Sequence, residues 1–131
     1  MVYGIEHIGL CAHNPDTLSK WYVDVLGYKM MHHIQERKTY FIQDRNGGML
    51  ELYPSARTTP PGENVDSGLR HLGITVFGFD EEVDNLKKRG IDIPEEKIVR
   101  TPEMRLAFFN DPEGNIIHFV ERSTPVTKRF W

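Results

Sequence analysis

Cysteine, excess positive charge and long apolar runs are all scarce in this 131-residue chain. The single cysteine, Cys11, excludes an intrachain disulfide and is typical of a reducing compartment, so we expect a cytoplasmic location. We interpret Cys11 itself as a small core residue. The formal net charge of −3 argues against the basic surface that nucleic-acid binding requires, and against a polybasic membrane-binding helix.

Targeting and membrane segments are also missing from the pattern. The chain shows no basic n-region, no long apolar run and no small-residue cleavage site, so we expect neither a signal peptide nor a membrane span. Hydrophobic residues make up 39% and charged residues 27%, a composition typical of a folded globular protein with a modest core. We therefore predict a single domain over residues 1–131.

Hydrophobic periodicity and turn residues predict the same order of elements, βαβββ, in each half of the chain. In the first half, a strand over residues 3–12 precedes a helix that Asn14 caps and Gly27 ends, and three short strands follow. In the second half, a strand precedes a helix for which Asp80 is the expected cap, again with three short strands after it. The predicted fold class is therefore α+β, with paired βαβββ modules.

The two modules are also related in sequence, which indicates an internal repeat. The segment EHIGLCA (6–12) aligns with RHLGITV (70–76), and YFIQDRNGGMLEL (40–52) aligns with AFFNDPEGNIIHF (107–119). We place module 1 at residues 1–57, a linker at 58–67, module 2 at 68–124 and a C-terminal tail at 125–131.

The alignment pairs polar residues that could bind a metal, at matched positions of otherwise apolar strands. His7 aligns with His71, and Glu51 aligns with His118. A lone strand histidine is more often a packed or surface residue, but core packing gives no reason to repeat ligand-capable residues symmetrically. A buried unpaired carboxylate would also be costly, and metal coordination removes that cost. We therefore predict a metal site made by these four residues, with Glu121 facing away from His118 because of its odd spacing.

Three stretches resemble a known family: WYVDVLGY at the first helix, RHLGITV opening module 2 and FNDPEGNIIHFVE closing it. Together with the paired modules, they resemble the vicinal oxygen chelate superfamily, which contains glyoxalases, bleomycin resistance proteins and dioxygenases. The resemblance covers residues 3–122 and implies a cupped mixed β-sheet, often completed by a homodimer. It implies metal ligands on the first and last strand of each module, which correspond here to His7, Glu51, His71 and His118.

The donor set and the resemblance together predict the chemistry. Three imidazoles and one carboxylate suit a divalent Ni, Co, Mn, Fe or Zn ion. Four protein ligands would leave two positions for a small substrate with vicinal oxygens, and the ion would stabilise an enediolate-type intermediate. We predict a lyase, isomerase or epimerase of glyoxalase I type, in which Glu51, the only anion of the set, is also the general base.

Two other functions stay open at this point: an extradiol ring-cleaving dioxygenase, and a non-catalytic small-molecule binding or resistance protein. Glyoxalase I usually carries Glu where this chain has His118, and often a basic residue where it has Asp24. An intact ligand set nevertheless argues against the non-catalytic alternative. Exposed strand edges favour a homodimer. The apolar residues Phe130 and Trp131 would dock on a partner chain or fold back.

Overall fold

In its described residues, each half of the chain forms one α-helix and four strands. The computed structural model describes residues 1–57, 59–60 and 62–124. Module 1 contains β1 (Ile8–Ala12), α1 (Pro15–Leu26), β2 (Lys29–Ile34), β3 (Thr39–Gln43) and β4 (Met49–Pro54). Module 2 contains β5 (His71–Thr75), α2 (Phe79–Lys88), β6 (Ile98–Arg100), β7 (Met104–Asn110) and β8 (Ile116–Arg122). The predicted α+β class and the repeated βαβββ order are confirmed.

The chain divides into two compact units, residues 1–61 and 62–131, and their boundary lies inside the predicted linker. Each unit holds a mixed four-stranded sheet, with the order β1-β4-β3-β2 in the first and β5-β8-β7-β6 in the second. In both sheets the first and last strands of the module pair in parallel and the other pairs are antiparallel. The two strands predicted to carry ligands are therefore neighbours in each module.

Helix α1 begins and ends as the sequence predicts. The Oδ1 atom of Asn14 accepts a hydrogen bond from the backbone N–H of Thr17 at 3.1 Å, and Gly27 ends the helix with a φ of 74°. Asparagine is a favoured N-cap, and glycine adopts this left-handed conformation without a steric cost. Leu18 and Tyr22 are buried on the helix, which packs on the sheet of its module.

Helix α2 begins differently from the prediction, and Asp80 is not its cap. The helix starts at Phe79, and the capping residue is Gly78, which has a φ of 75° and no side chain to bond the first turn. The carboxylate of Glu121, on β8, accepts from the backbone N–H groups of Gly78 and Phe79 at 3.1 and 3.4 Å. An anion supplied by a distant strand thus satisfies this helix N-terminus.

Two smaller expectations about module 1 are also wrong. Strand β1 starts at Ile8 instead of residue 3, so His7 directly precedes the strand. Cys11 is exposed and therefore is not a core residue. In the described part of the chain, no helix is long and apolar enough to cross a membrane. The residues Phe130 and Trp131 of the predicted tail lie outside the described residues.

Candidate metal centre

The first predicted pair, His7 and Glu51, is brought together in module 1. Nε2 of His7 lies 3.9 Å from Oε1 of Glu51, and their side chains are 34% and 27% exposed. The edge of the His7 ring meets Phe41 at a right angle, with the ring centroids 5.8 Å apart. The two polar groups therefore share one partly exposed face of the sheet, away from Leu50 and Leu52, which are buried.

The second predicted pair, His71 and His118, is brought together in module 2. Their ring centroids lie 4.7 Å apart, with an angle of 42° between the ring planes. The ring of Phe108 meets His118 at 4.9 Å. Space for this packing comes from Gly73, the Cα partner of His118 on the parallel strand, because a Cβ at that position would lie 2.7 Å from Nε2 of His118.

Glu51 and His118 occupy equivalent positions in the two sheets. Each lies between a glycine on the parallel neighbour and a phenylalanine on the antiparallel neighbour: Gly9 and Phe41 for Glu51, Gly73 and Phe108 for His118. The internal repeat predicted this equivalence. The same alignment pairs Phe41 with Phe108, the two phenylalanines beside the ligand candidates.

Strand β4, which carries Glu51, and strand β8, which carries His118, each follow a tight turn that an aspartate stabilises. Oδ1 of Asp44 accepts from the backbone N–H groups two and four residues later, both at 2.8 Å. Asp111 does the same at 2.9 and 3.0 Å, and it is almost fully buried. Such local side-chain hydrogen bonds favour tight turns. Because a one-residue slip would move Glu51 and His118 to the opposite face, these turns protect the candidate site.

The Nδ1 atoms of His7 and His71 are both held by oxygen atoms. Nδ1 of His7 lies 2.9 Å from Oε1 of Glu6, and Nδ1 of His71 lies 2.7 Å from Oδ1 of Asn64. Carboxylate and amide oxygens only accept, so each Nδ1 carries the hydrogen. In the neutral ring, the lone pair that can bind a metal is then on Nε2. Neither oxygen acceptor was recognised from the sequence.

His118 has a different environment, since its Nδ1 is buried without a hydrogen-bond partner among the described residues. Burial lowers the pKa of His118, and the charges of His71 and Arg122 lower it further. A neutral ring with an unpaired nitrogen is a competent metal ligand, and an ion bound there would supply the missing partner. The donor types of the two pairs, imidazole nitrogen and carboxylate oxygen, suit a borderline divalent cation.

Neither module holds a complete site by itself. Among the residues that the structure describes, no group of three or more His, Cys, Asp or Glu side chains is placed so that it could hold a metal ion. Each module supplies a pair, and the four-residue set remains a prediction. Glu121 faces away from His118, as the strand spacing predicts, because its carboxylate bonds Arg105 and the start of α2.

Comparison with known families identifies the fold. The family model for the Glyoxalase/Bleomycin resistance protein/Dioxygenase superfamily matches residues 4–119. The chain belongs to this superfamily. The matched range includes both modules and all four predicted ligands, so the family resemblance seen in the sequence motifs is confirmed. The superfamily generally binds divalent metals and small molecules, and its members often form dimers.

Relatives within this superfamily differ in what they do. YwkD of Bacillus subtilis (strain 168) is 31% identical over 124 residues, which cover 86% of this chain and 92% of YwkD. A lactoylglutathione lyase from Agrobacterium tumefaciens has a TM-score of 0.68 at 21% identity, covering 90% of this chain and 92% of the lyase. TnmS3, an antibiotic binding protein from Streptomyces sp. CB03234, has a TM-score of 0.75 at 22% identity, covering 93% and 98%. An enzyme and a binding protein thus share the fold, so function has to be argued from the site.

Proposed function

We propose that this glyoxalase-superfamily protein is a metal-dependent lyase, isomerase or epimerase of glyoxalase I type. Its substrate would be a small molecule with vicinal oxygens, and its ligands would be His7, Glu51, His71 and His118. The observation that carries the proposal is the equivalent pair in each module, in which donor groups face one another across parallel strands. The hydrogen-bonded Nδ1 atoms of two of these histidines add to that support.

In this proposal the three histidines bind the metal ion, and Glu51 both binds the ion and transfers the substrate proton. A bound Ni, Co, Mn, Fe or Zn ion would supply a Lewis acid that stabilises charge on the substrate oxygens. The three histidines would hold the ion as neutral rings, which leaves Glu51 as the only anionic donor. Its carboxylate would accept a proton from the carbon beside the substrate's vicinal oxygens, giving an enediolate-type substrate anion, and would return the proton to the product. Phe41 and Phe108 pack against the rings of His7 and His118 and would form apolar walls beside the donors.

Metal content is the first test of this proposal. Protein loaded with each ion in turn should hold one ion per chain, and His71→Ala should lose it. His33→Ala is the matched control, because His33 stacks on Tyr40 at 4.3 Å and belongs to neither ligand pair. A chelator should lower the melting temperature, since an ion at a thousandfold excess over its Kd stabilises the folded state by about 4 kcal/mol. Equal metal content in His71→Ala and the control would show that the site is misplaced.

Substrate exchange is the second test. Metal-loaded protein is screened with α-hydroxycarbonyl and CoA-thioester compounds in deuterium oxide, and proton exchange is followed by NMR. We expect exchange at the carbon beside the vicinal oxygens in at least one compound, and none after the metal is removed. Tight binding of these compounds without exchange would instead favour a binding protein. Oxygen consumption with catechols would favour the ring-cleaving dioxygenase.

The assembly belongs to the same proposal, which includes a homodimer in the cytoplasm. Several large apolar side chains are more than three-quarters exposed: Tyr3, Ile5, Leu69 and Phe77. Exposed apolar side chains that form one contiguous patch are typical of a surface that a partner covers. Sedimentation of the 15.2 kDa chain at micromolar concentration should show a species of twice that mass. A monomer under these conditions would contradict the proposed dimer. The cytoplasmic location is supported separately by the single cysteine, which is typical of a reducing compartment.

A further inference from the structure

The Nδ1 atom of the first predicted histidine ligand has a different hydrogen-bond acceptor in each half of the chain. In module 1 the acceptor for Nδ1 of His7 is Glu6, the preceding residue. In module 2 the acceptor for Nδ1 of His71 is Asn64, which lies seven residues earlier in the chain. The same hydrogen bond therefore occurs twice, although the repeat does not place its acceptors at equivalent positions.

Arg70 explains why the acceptor changes. The repeat aligns Arg70 with Glu6, and a guanidinium has donors but no acceptor, so it cannot bind an Nδ1–H group. The preceding loop replaces the lost acceptor by folding over Arg70. Gly62 lies directly against the guanidinium of Arg70. Gly68 lies beside the same group, with a φ of +104° that residues with side chains rarely adopt.

A tight turn within the same loop holds Asn64 in place. The backbone N–H of Glu63 donates to Oδ2 of Asp66 at 2.7 Å, and the backbone N–H of Asp66 donates to the carbonyl of Glu63 at 3.0 Å. Asn64 lies inside this closed turn, so its side chain is presented to His71 by backbone that is itself hydrogen-bonded. The loop that the sequence identified only as a linker thus has a defined contact with the candidate site.

We propose that Asn64 and Glu6 are positioning residues, which hold His71 and His7 in the tautomer whose Nε2 can bind a metal ion. The ligand role rests on the proposed function, whereas the tautomer is a property of the protein without metal. Fixing the tautomer removes the free-energy cost of selecting it at each binding event. The side chain of Glu6 is 78% exposed, so water competes for its hydrogen bond. Asn64 is presented by a hydrogen-bonded turn, so we expect the larger effect at Asn64.

The first experiment measures the tautomer of His71 in the metal-free protein by ¹⁵N NMR, at about pH 8 where histidine is neutral. In the unaltered protein, His71 should carry its hydrogen on Nδ1. Asn64→Leu should shift the population toward the Nε2–H form, and Asn64→Asp, which keeps an acceptor oxygen, should restore it. Glu63→Leu is the control from the same turn, since its turn contacts are made by backbone atoms. An unchanged tautomer in Asn64→Leu would overturn the proposal.

The second experiment titrates the same variants with Co(II) and Ni(II) and follows the Co(II) absorption spectrum. Loss of a group that orients a ligand lowers metal affinity by about 10- to 100-fold, so this loss is expected in Asn64→Leu. Asn64→Asp and Glu63→Leu should bind metal with nearly the affinity of the unaltered protein. The affinity of Glu6→Leu should lie between that value and the affinity of Asn64→Leu. If Asn64→Leu binds normally while His71→Ala loses the ion, the positioning role is wrong. If His71→Ala also binds normally, the proposed metal site itself is wrong and the ligand role of Asn64 fails with it.

Discussion

The imidazole of His118 fills the space that a side chain on Gly73 would require. The two residues are Cα partners on parallel strands, and a Cβ on Gly73 would lie 2.7 Å from Nε2 of His118. The φ of Gly73 is not positive, so its backbone conformation would accept a side chain. It is the neighbouring ring of His118 that excludes one. A small residue opposite a large ligand side chain is therefore part of how this site is built.

Replacing Gly73 by alanine should displace the His118 ring. The added methyl group overpacks the contact, so we expect the free energy of unfolding to fall by about 1–3 kcal/mol. Affinity for Co(II) should fall as well, because the displaced ring no longer matches the other donors. Gly4→Ala is the matched control, since a Cβ there meets no atom within 4 Å. Urea denaturation and metal titration give both quantities, and equal values for the two variants would contradict the prediction.

Glu51→Gln should separate metal binding from proton transfer. Glutamine keeps the size and one oxygen donor of Glu51 but removes the anion, so metal should be retained more weakly. Proton exchange at a verified substrate should fall by about 10²-fold or more, the usual scale for loss of a general base. Deuterium exchange in the metal-loaded variant is the measurement. Full turnover in Glu51→Gln would leave this residue as a ligand only, with the base elsewhere.

The sequence was sufficient for those parts of the fold that depend on local patterns and on the repeat. Asn14 and Gly27 are adjacent to the helix that they end, so the bounds of α1 could be predicted. The alignment of Glu51 with His118 predicted their equivalent places in two sheets, because the same turn and the same strand spacing occur twice. Alternation along β8 also predicted that Glu121 faces away from His118.

Contacts between residues that are distant in the chain were missed, because they depend on neither a local pattern nor the repeat. Asp80 was the expected cap of α2 because it has the right side chain next to the helix start, but the acceptor is Glu121, 43 residues beyond Gly78. Asn64 lies in a stretch whose composition predicted only a linker, and nothing local marks its contact with His71. A helix cap or a histidine partner that is supplied by another element leaves no signal in the pattern around it.

Glu121→Ala should lower stability without changing the metal site. The carboxylate accepts two backbone N–H groups at the start of α2 and pairs with Arg105, and its side chain is only 22% exposed. Hydrogen bonds to a charged group contribute about 1.5–3 kcal/mol, so we expect a decrease of that size in the free energy of unfolding. Glu96→Ala, in an exposed 3₁₀ turn, is the control. Loss of metal in Glu121→Ala with His118→Ala unaffected would mean that the face assignment of β8 is wrong.

Tyr28 provides a prediction for alkaline pH. The side chain is buried against the ring of Tyr22, and burial, with a smaller effect from the charge of Asp44, raises the pKa of Tyr28 to about 12. The unfolded chain releases this proton near pH 10, whereas the folded chain keeps it until about pH 12. The stabilisation is therefore complete below pH 10 and is lost as the pH rises through 12.

Between these limits the free energy of unfolding should fall by about 2–3 kcal/mol through this one group, since each pKa unit corresponds to about 1.4 kcal/mol. Other side chains also titrate in this range, so the informative quantity is the difference between the unaltered protein and Tyr28→Phe. Phenylalanine keeps the ring packing against Tyr22 but cannot ionise. Urea denaturation at a series of pH values above 9 should show a shallower decrease in Tyr28→Phe. Parallel curves for the two proteins would mean that the Tyr28 hydroxyl is as free to ionise in the folded chain as in the unfolded one.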